Sequence, residues 1–121
     1  MPVPRVTKEE LQTKLESDSP PVVLDVRLKY PYEHSTVKLP GAIRLAPPEF
    51  DLAALSRERE IVAYDSDPQE LVSAHVTARL IRDGYQARAL KGGIVEWMEA
   101  KLPTEEKSAP KQAPPKAGAL S

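Results

Sequence analysis

Asp65, Asp67 and Glu70 are the residues best placed to do chemistry in this sequence. They lie in I-V-A-Y-D-S-D-P-Q-E-L-V-S, residues 61–73. Carboxylates at this spacing accept hydrogen bonds from backbone N–H groups or meet a cationic partner group. Two features suggest how they are held. Ile61, Val62, Ala63 and Tyr64 form a short apolar run, which predicts a buried strand ending at Asp65. Asp67, Pro68 and Glu70 then read as N-cap, N1 and N3 of a helix, a capping-box pattern. That helix is predicted to run to Asp83, with Gly84 as its C′ residue. A loop at the carboxyl end of a strand and the amino end of a helix is where open α/β sheets usually place their sites.

The flanking chain supplies the elements that must position this loop. Thr7 caps a short helix with Glu10 at N3, and Val6 and Leu11 form a hydrophobic staple around the cap. Val22 to Arg27 is a β-branched run that predicts a strand. Lys29 to Ser35 reads as a loop with a helical turn, Ala42 to Leu45 as a brief strand, and Glu49 to Leu55 as one or two helical turns with Phe50 and Leu55 inward. In the helix after the acidic loop, Leu71, Ala74, Ala78 and Ile81 make one apolar stripe. Val72, Val76 and Leu80 make another, so the helix is expected to be buried on two sides. Ala87 to Leu90 predicts a further strand. Gly92-Gly93 predicts a tight turn and Ile94 to Lys101 a last helix, docked through Ile94, Trp97 and Met98. Short strands alternating with helices imply an α/β sheet with parallel pairs.

Composition sets the outer bounds. The 121 residues suit one domain, and the net charge of −1 comes with both signs interspersed. No basic run marks a nucleic-acid face. No apolar segment approaches the ~20 residues that span a bilayer, and Met1 to Val6 lacks the apolar stretch of a secretory signal. The expectation is a soluble, cytoplasmic protein. With no cysteine, disulfides, cysteine–zinc sites and every thiolate or persulfide mechanism within this chain are excluded. His34 and His75 are too few for a histidine metal site and read as ordinary polar positions. No cofactor and no metal site is expected. Residues 1–4 are expected to be flexible and residues 5–103 to form the domain. Residues 104–121, rich in Pro, Ala and Lys, are expected to be disordered.

L-D-V-R at 24–27, L-P-G-A-I at 39–43, I-V-A-Y at 61–64 and G-G-I-V-E-W at 92–97 resemble, in order and spacing, the rhodanese-like domains. The resemblance implies a mainly parallel open sheet with helices on both faces. It also implies a site at the mouth of the central strand, where the family's cysteine takes up sulfane sulfur and the loop and helix N-terminus aim N–H groups at it. The position of that cysteine falls on Asp65. The loop is similar to a variant form, C-x-C-P, whose second cysteine falls on Asp67. Both thiol positions are carboxylates, and a carboxylate neither stores sulfane sulfur nor attracts thiosulfate or phosphate.

The resulting expectation is a rhodanese-like module without sulfur-transfer activity, acting in binding or regulation. Its face is the rim Asp65, Ser66, Asp67, Gln69 and Glu70, with Arg27 nearby, and its partner is another protein presenting a basic or neutral surface. Asp65 also reads as a plain acceptor for loop N–H groups, and Asp25 and Arg27 as a structural ion pair. Two enzymatic alternatives remain. One is sulfur transfer with a thiol supplied by a partner. The other is a Mg²⁺-dependent phosphatase, since D-S-D after a strand is similar to the D-x-D motif of haloacid-dehalogenase-type enzymes, with Asp65 as nucleophile and Asp67 as acid.

Overall fold

A computed structural model describes residues 3–45, 55–67 and 69–107. The helical turn expected over Glu49 to Leu55, with Phe50, lies outside them apart from Leu55, and so do Pro68 and residues 108–121. Four strands recognisable from sequence form the sheet's interior and one edge: β2 (Val22–Asp25), β4 (Ile43–Arg44), β5 (Glu60–Tyr64) and β6 (Gln86–Leu90). The other edge is a short strand, β1 (Arg5–Val6). All pairings in this sheet are parallel and the order is β1-β6-β5-β2-β4, which puts β5 in the middle. Helices lie on both faces, as a parallel sheet requires.

Alternation along the strands divides the core in two. Val62 and Tyr64 point to a layer with Val6, Leu11, Val23, Leu90, Ile94 and Trp97, covered by α1 (Lys8–Leu15) and α4 (Gly93–Glu99). Ile61 and Ala63 point to the other layer with Leu24, Val26, Val76, Leu80 and Tyr85, covered by α3 (Leu71–Arg82). The short α2 (Lys29–Glu33) follows β2. A second sheet pairs β3 (Val37–Lys38) antiparallel with β7 (Glu105–Glu106).

The capping box of α1 forms as the sequence predicts: Glu10 N–H donates to Thr7 Oγ1 at 3.1 Å and Thr7 N–H to Glu10 Oε1 at 2.9 Å. Trp97 is fully buried and its Nε1–H donates to the Pro103 carbonyl at 2.7 Å, which closes the chain over α4.

Several expectations need correction. Helix α3 begins at Leu71, not Pro68, and its N-cap residue is Glu70, in the left-handed region at φ 60° with no side-chain cap. One of the two α3 stripes faces solvent: Leu71 is 63% and Ile81 41% exposed, while Ser73 and Thr77 join Val76 and Leu80 inside. Helix α3 therefore packs on one side only. Met98 is 48% exposed and leaves the docking of α4 to Ile94 and Trp97. The strand predicted over Val22 to Arg27 stops at Asp25. The chain ends are also more engaged than expected. Pro4 O accepts from Ala89 N–H at 3.0 Å. Past Pro103 the chain forms β7, and Lys107 N–H donates to Thr36 O at 2.8 Å.

Candidate functional site

The carboxyl ends of β2 and β5 lie side by side, with Asp25 in register with Tyr64. Each end carries one buried acid. Asp25 forms a bidentate pair with Arg27: Nη2 to Oδ2 at 2.6 Å and Nε to Oδ1 at 2.9 Å, both side chains 1% exposed. Arg27 also donates to the Val37 carbonyl at 3.0 Å. Burial acts to lower the Arg27 guanidinium, but the hydrogen bonds and charge of Asp25 leave it raised overall. Tyr64, buried beside Asp25, has its hydroxyl pushed up, while that oxygen accepts from Leu39 N–H at 3.2 Å. Arg27 is thus fastened inside the structure as the partner of Asp25, the structural ion pair that the sequence also predicts.

Asp65, at the end of β5, has a different kind of partner. It is buried, and its two oxygens accept from backbone: Oδ2 from Ser73 N–H at 2.7 Å, Oδ1 from Asp67 N–H at 3.1 Å. Ser73 is the third residue of α3, so its N–H is one of those left unpaired at a helix start. Asp65 caps α3 from the strand before it, in place of the predicted cap from Asp67. Burial raises the Asp65 carboxyl above the ordinary aspartate range, and the two N–H bonds act against that rise.

The rest of the loop folds around this carboxyl. Asp67 Oδ1 accepts from Gln69 N–H at 2.8 Å, and Asp67 O from Glu70 N–H at 2.9 Å. Ser66 and Asp67 are half-buried and Gln69 is exposed. Glu70 turns away from the loop mouth: Arg5 Nε donates to its Oε1 at 2.6 Å and Gly92 N–H to its Oε2 at 3.2 Å. The backbone of Asp65 is held from the same side, where Ile94 N–H donates to its carbonyl at 3.0 Å. Gly93 has φ +62°, and a Cβ there would lie 2.4 Å from that carbonyl oxygen, so only glycine fits. The three acids predicted to crowd one site are therefore held in three different ways. Asp65 is turned inward, Glu70 is neutralised by Arg5, and Asp67 remains at the mouth.

Sequence reasoning missed Arg5, Gly92 and the Ser73 N–H as supports of this loop. Arg5 had no signal, because its partner is distant in sequence. The Gly92-Gly93 doublet did signal a turn, but not what the turn approaches. Also missed was an apolar wall. Leu28, Pro31 and Val72 join Asp65, Ser66 and Asp67 around a cavity of about 250 Å³. The exposed Tyr30 and Leu71 belong to α2 and α3, which supply that wall. His34 stacks on Tyr30 with centroids 4.0 Å apart, and His75 is exposed on α3.

A parallel five-stranded sheet with its loop site at the end of the middle strand agrees with the family model that matches residues 7–100, that of the rhodanese-like domain. The chain belongs to the rhodanese-like domain family. A relative, the HTH-type transcriptional regulator Rv0324 of Mycobacterium tuberculosis, is 34% identical over 108 residues, covering 87% of this chain and 46% of that protein. The chain thus spans about half the length of the curated relative it matches. Among solved structures, a rhodanese-like domain protein from Staphylococcus aureus superposes with a TM-score of 0.70 at 24% identity, covering 87% of this chain and 99% of that one. A thiosulfate sulfurtransferase from Pseudomonas aeruginosa superposes with a TM-score of 0.72 at 23% identity, covering 88% of this chain and 21% of that one. At these identities the structures show a shared fold. This rhodanese-like chain contains no cysteine, so it has no sulfur atom able to carry a persulfide. Among its described residues no helix is long and apolar enough to cross a membrane.

Proposed function

We propose that this rhodanese-like domain is a non-catalytic binding or regulatory module of the cytoplasm, and that its working surface is the rim of the 65–70 loop. One observation carries the reading. The carboxyl of Asp65, the position that the resemblance gives to the family's nucleophile, accepts the N–H groups of Ser73 and Asp67 with both oxygens. An anionic substrate approaching that position meets an acid already bonded to those donors, with Asp67 beside it. The partner best suited to the rim is a protein segment that sets an apolar side chain against Leu28, Pro31 and Val72 and offers a cation or N–H donor to Asp67. The regulator name of the Mycobacterium tuberculosis relative supports a regulatory setting for a domain of this kind.

The two enzymatic readings have less support. Phosphoryl transfer needs Asp65 free to attack, and both its oxygens accept hydrogen bonds. Sulfur transfer needs a thiol from another protein. The test is a thiosulfate-to-cyanide assay on the chain and on Asp65→Cys, with amide NMR during thiosulfate and phosphate titration. The chain is expected to be inert and the amides of residues 65–71 unmoved by either anion. Turnover by the cysteine-free chain, or saturable anion shifts there, overturns the proposal. Activity in Asp65→Cys shows that the loop still cradles anions and that Asp65 is what silences it. Mg²⁺-dependent hydrolysis of a phosphate ester that is lost in Asp65→Asn favours the phosphatase.

A further inference from the structure

The cavity beside the acidic loop combines two chemistries. Leu28, Pro31 and Val72 make it apolar, and Asp65 and Asp67 give it carboxylates. Among the described residues neither carboxylate has a cationic side chain within ion-pair distance. The other acids at this end of the sheet are matched, Asp25 by Arg27 and Glu70 by Arg5. An occupant should therefore be cationic and apolar together.

Residues 108–121, S-A-P-K-Q-A-P-P-K-A-G-A-L-S, have that composition. They contain Lys111 and Lys116, no acidic side chain, and otherwise mostly Ala and Pro with Leu120. They also start in the right place. Lys107 lies with Nζ on the Tyr32 carbonyl at 2.5 Å and 4.2 Å from the Tyr32 ring centroid. Tyr32 directly follows Pro31 of the cavity wall, and Leu28 is about one helical turn, ~6 Å, further along. Lys111 and Lys116 lie four and nine residues past Lys107, which lets them reach at most ~14 Å and ~32 Å from it. A short tether of this kind holds its ligand at roughly millimolar effective concentration, enough for a weak contact to be occupied.

We propose that residues 108–121 dock in cis on this cavity, with Lys111 or Lys116 meeting the Asp67 carboxylate at its mouth and the prolines lying along Leu28, Pro31 and Val72. The proposal rests on the reading of this rim as a binding face, and it makes the tail a competitor of any partner for that face.

Because the chain has no cysteine, a single spin label can be attached through Ser121→Cys on the full chain. The expected result is selective loss of amide intensity at Leu28, Ser66, Asp67 and Val72. That loss disappears in Lys111→Glu/Lys116→Glu and in Asp67→Asn, and weakens as salt shortens the Debye length. Losses confined to the neighbours of Lys107, such as Thr36 and Glu106, overturn the proposal, as do rim losses indifferent to these substitutions. Equal losses in unlabelled chains mixed with labelled ones also overturn docking in cis. A free lysine- and leucine-containing peptide of unrelated order separates the two levels of the argument. If it shifts the rim amides while the tail does not, only the tail assignment fails; if neither does, the binding face fails too.

Discussion

Replacing Asp65 with alanine tests whether its carboxyl organises the loop or is merely tolerated in it. The change strands two N–H groups. That of Ser73 is buried at the start of α3, and leaving it without an acceptor costs about 1–3 kcal/mol. That of Asp67 is partly exposed and can turn to water, for a loss of about 0.5–1.5 kcal/mol. Against this stands relief from burying an acid, the cause of the raised Asp65 carboxyl. The balance is a loss of about 2 kcal/mol, at the upper end of what removing a helix cap costs. For a domain of this size that lowers Tm by roughly 8–16 °C. Denaturant melts at neutral pH measure it directly. The pH dependence is a second, independent arm, read as the difference between parent and Asp65→Asn. A carboxyl raised in the folded state holds its proton to higher pH than in the unfolded chain. Its stabilising contribution is full below the unfolded aspartate value and falls as pH rises through the folded one. The parent's stability relative to Asp65→Asn should therefore decline across the acid carboxylate range and level off above it. An Asp65→Ala variant as stable as the parent refutes the capping argument. A difference that grows with pH refutes the assignment of burial as the dominant influence.

Three further outcomes follow from neighbouring contacts. Gly93→Ala should cost at least about 2 kcal/mol, since it combines left-handed backbone with a clash against the Asp65 carbonyl; a neutral result by chemical denaturation contradicts the close approach. Glu70→Ala, which strands Gly92 N–H and the Arg5 guanidinium, should destabilise by about 1–3 kcal/mol and more than Arg5→Ala, whose side chain is partly exposed; the reverse order in urea melts counts against Glu70 as the linking residue. Arg27→Ala should cost about 3–5 kcal/mol by leaving Asp25 buried and unpaired, and Arg27→Lys should recover only part of that, because an ammonium cannot make the bidentate contact.

What could be read from the sequence was whatever depended on near neighbours. The capping box needs only Thr7 and Glu10, three residues apart, so it appears as written. The apolar runs of β2 and β5 need no distant information to be strands. The start of α3 looked equally local, with Asp67, Pro68 and Glu70 in the right order. Glu70 is instead drawn to Arg5, across 65 residues, and to Gly92. A charge-assisted contact of roughly 1.5–3 kcal/mol outweighs a local cap of about 1 kcal/mol. The two α3 stripes show a related limit. Periodicity reveals apolar faces but not which one meets the sheet, and here Ser73 and Thr77 go inside while Leu71 and Ile81 stay out. Strands of two residues, β1 and β7, are too short to leave any period. The family pattern pointed to the end of β5 as the candidate site, and the sequence alone shows that it holds no thiol. Its apolar wall was not, because Leu28, Pro31 and Val72 meet only in three dimensions.

The pairing of Arg5 with Ala89 and Val6 with Leu90 has a consequence for how this domain is made. During synthesis the first strand of the sheet emerges long before its neighbour, and it waits unpaired until residue 90 has left the ribosome. Glu70 waits with it, because Arg5 arrives on that same strand. The acidic loop is therefore completed only after β6 has been made, by a strand made before it. Clipping the first six residues would spare most of both core layers yet remove the cation that holds Glu70 in place. The loop's conformation thus reports whether β1 is seated, and a protease or partner acting on that strand would be felt at Glu70.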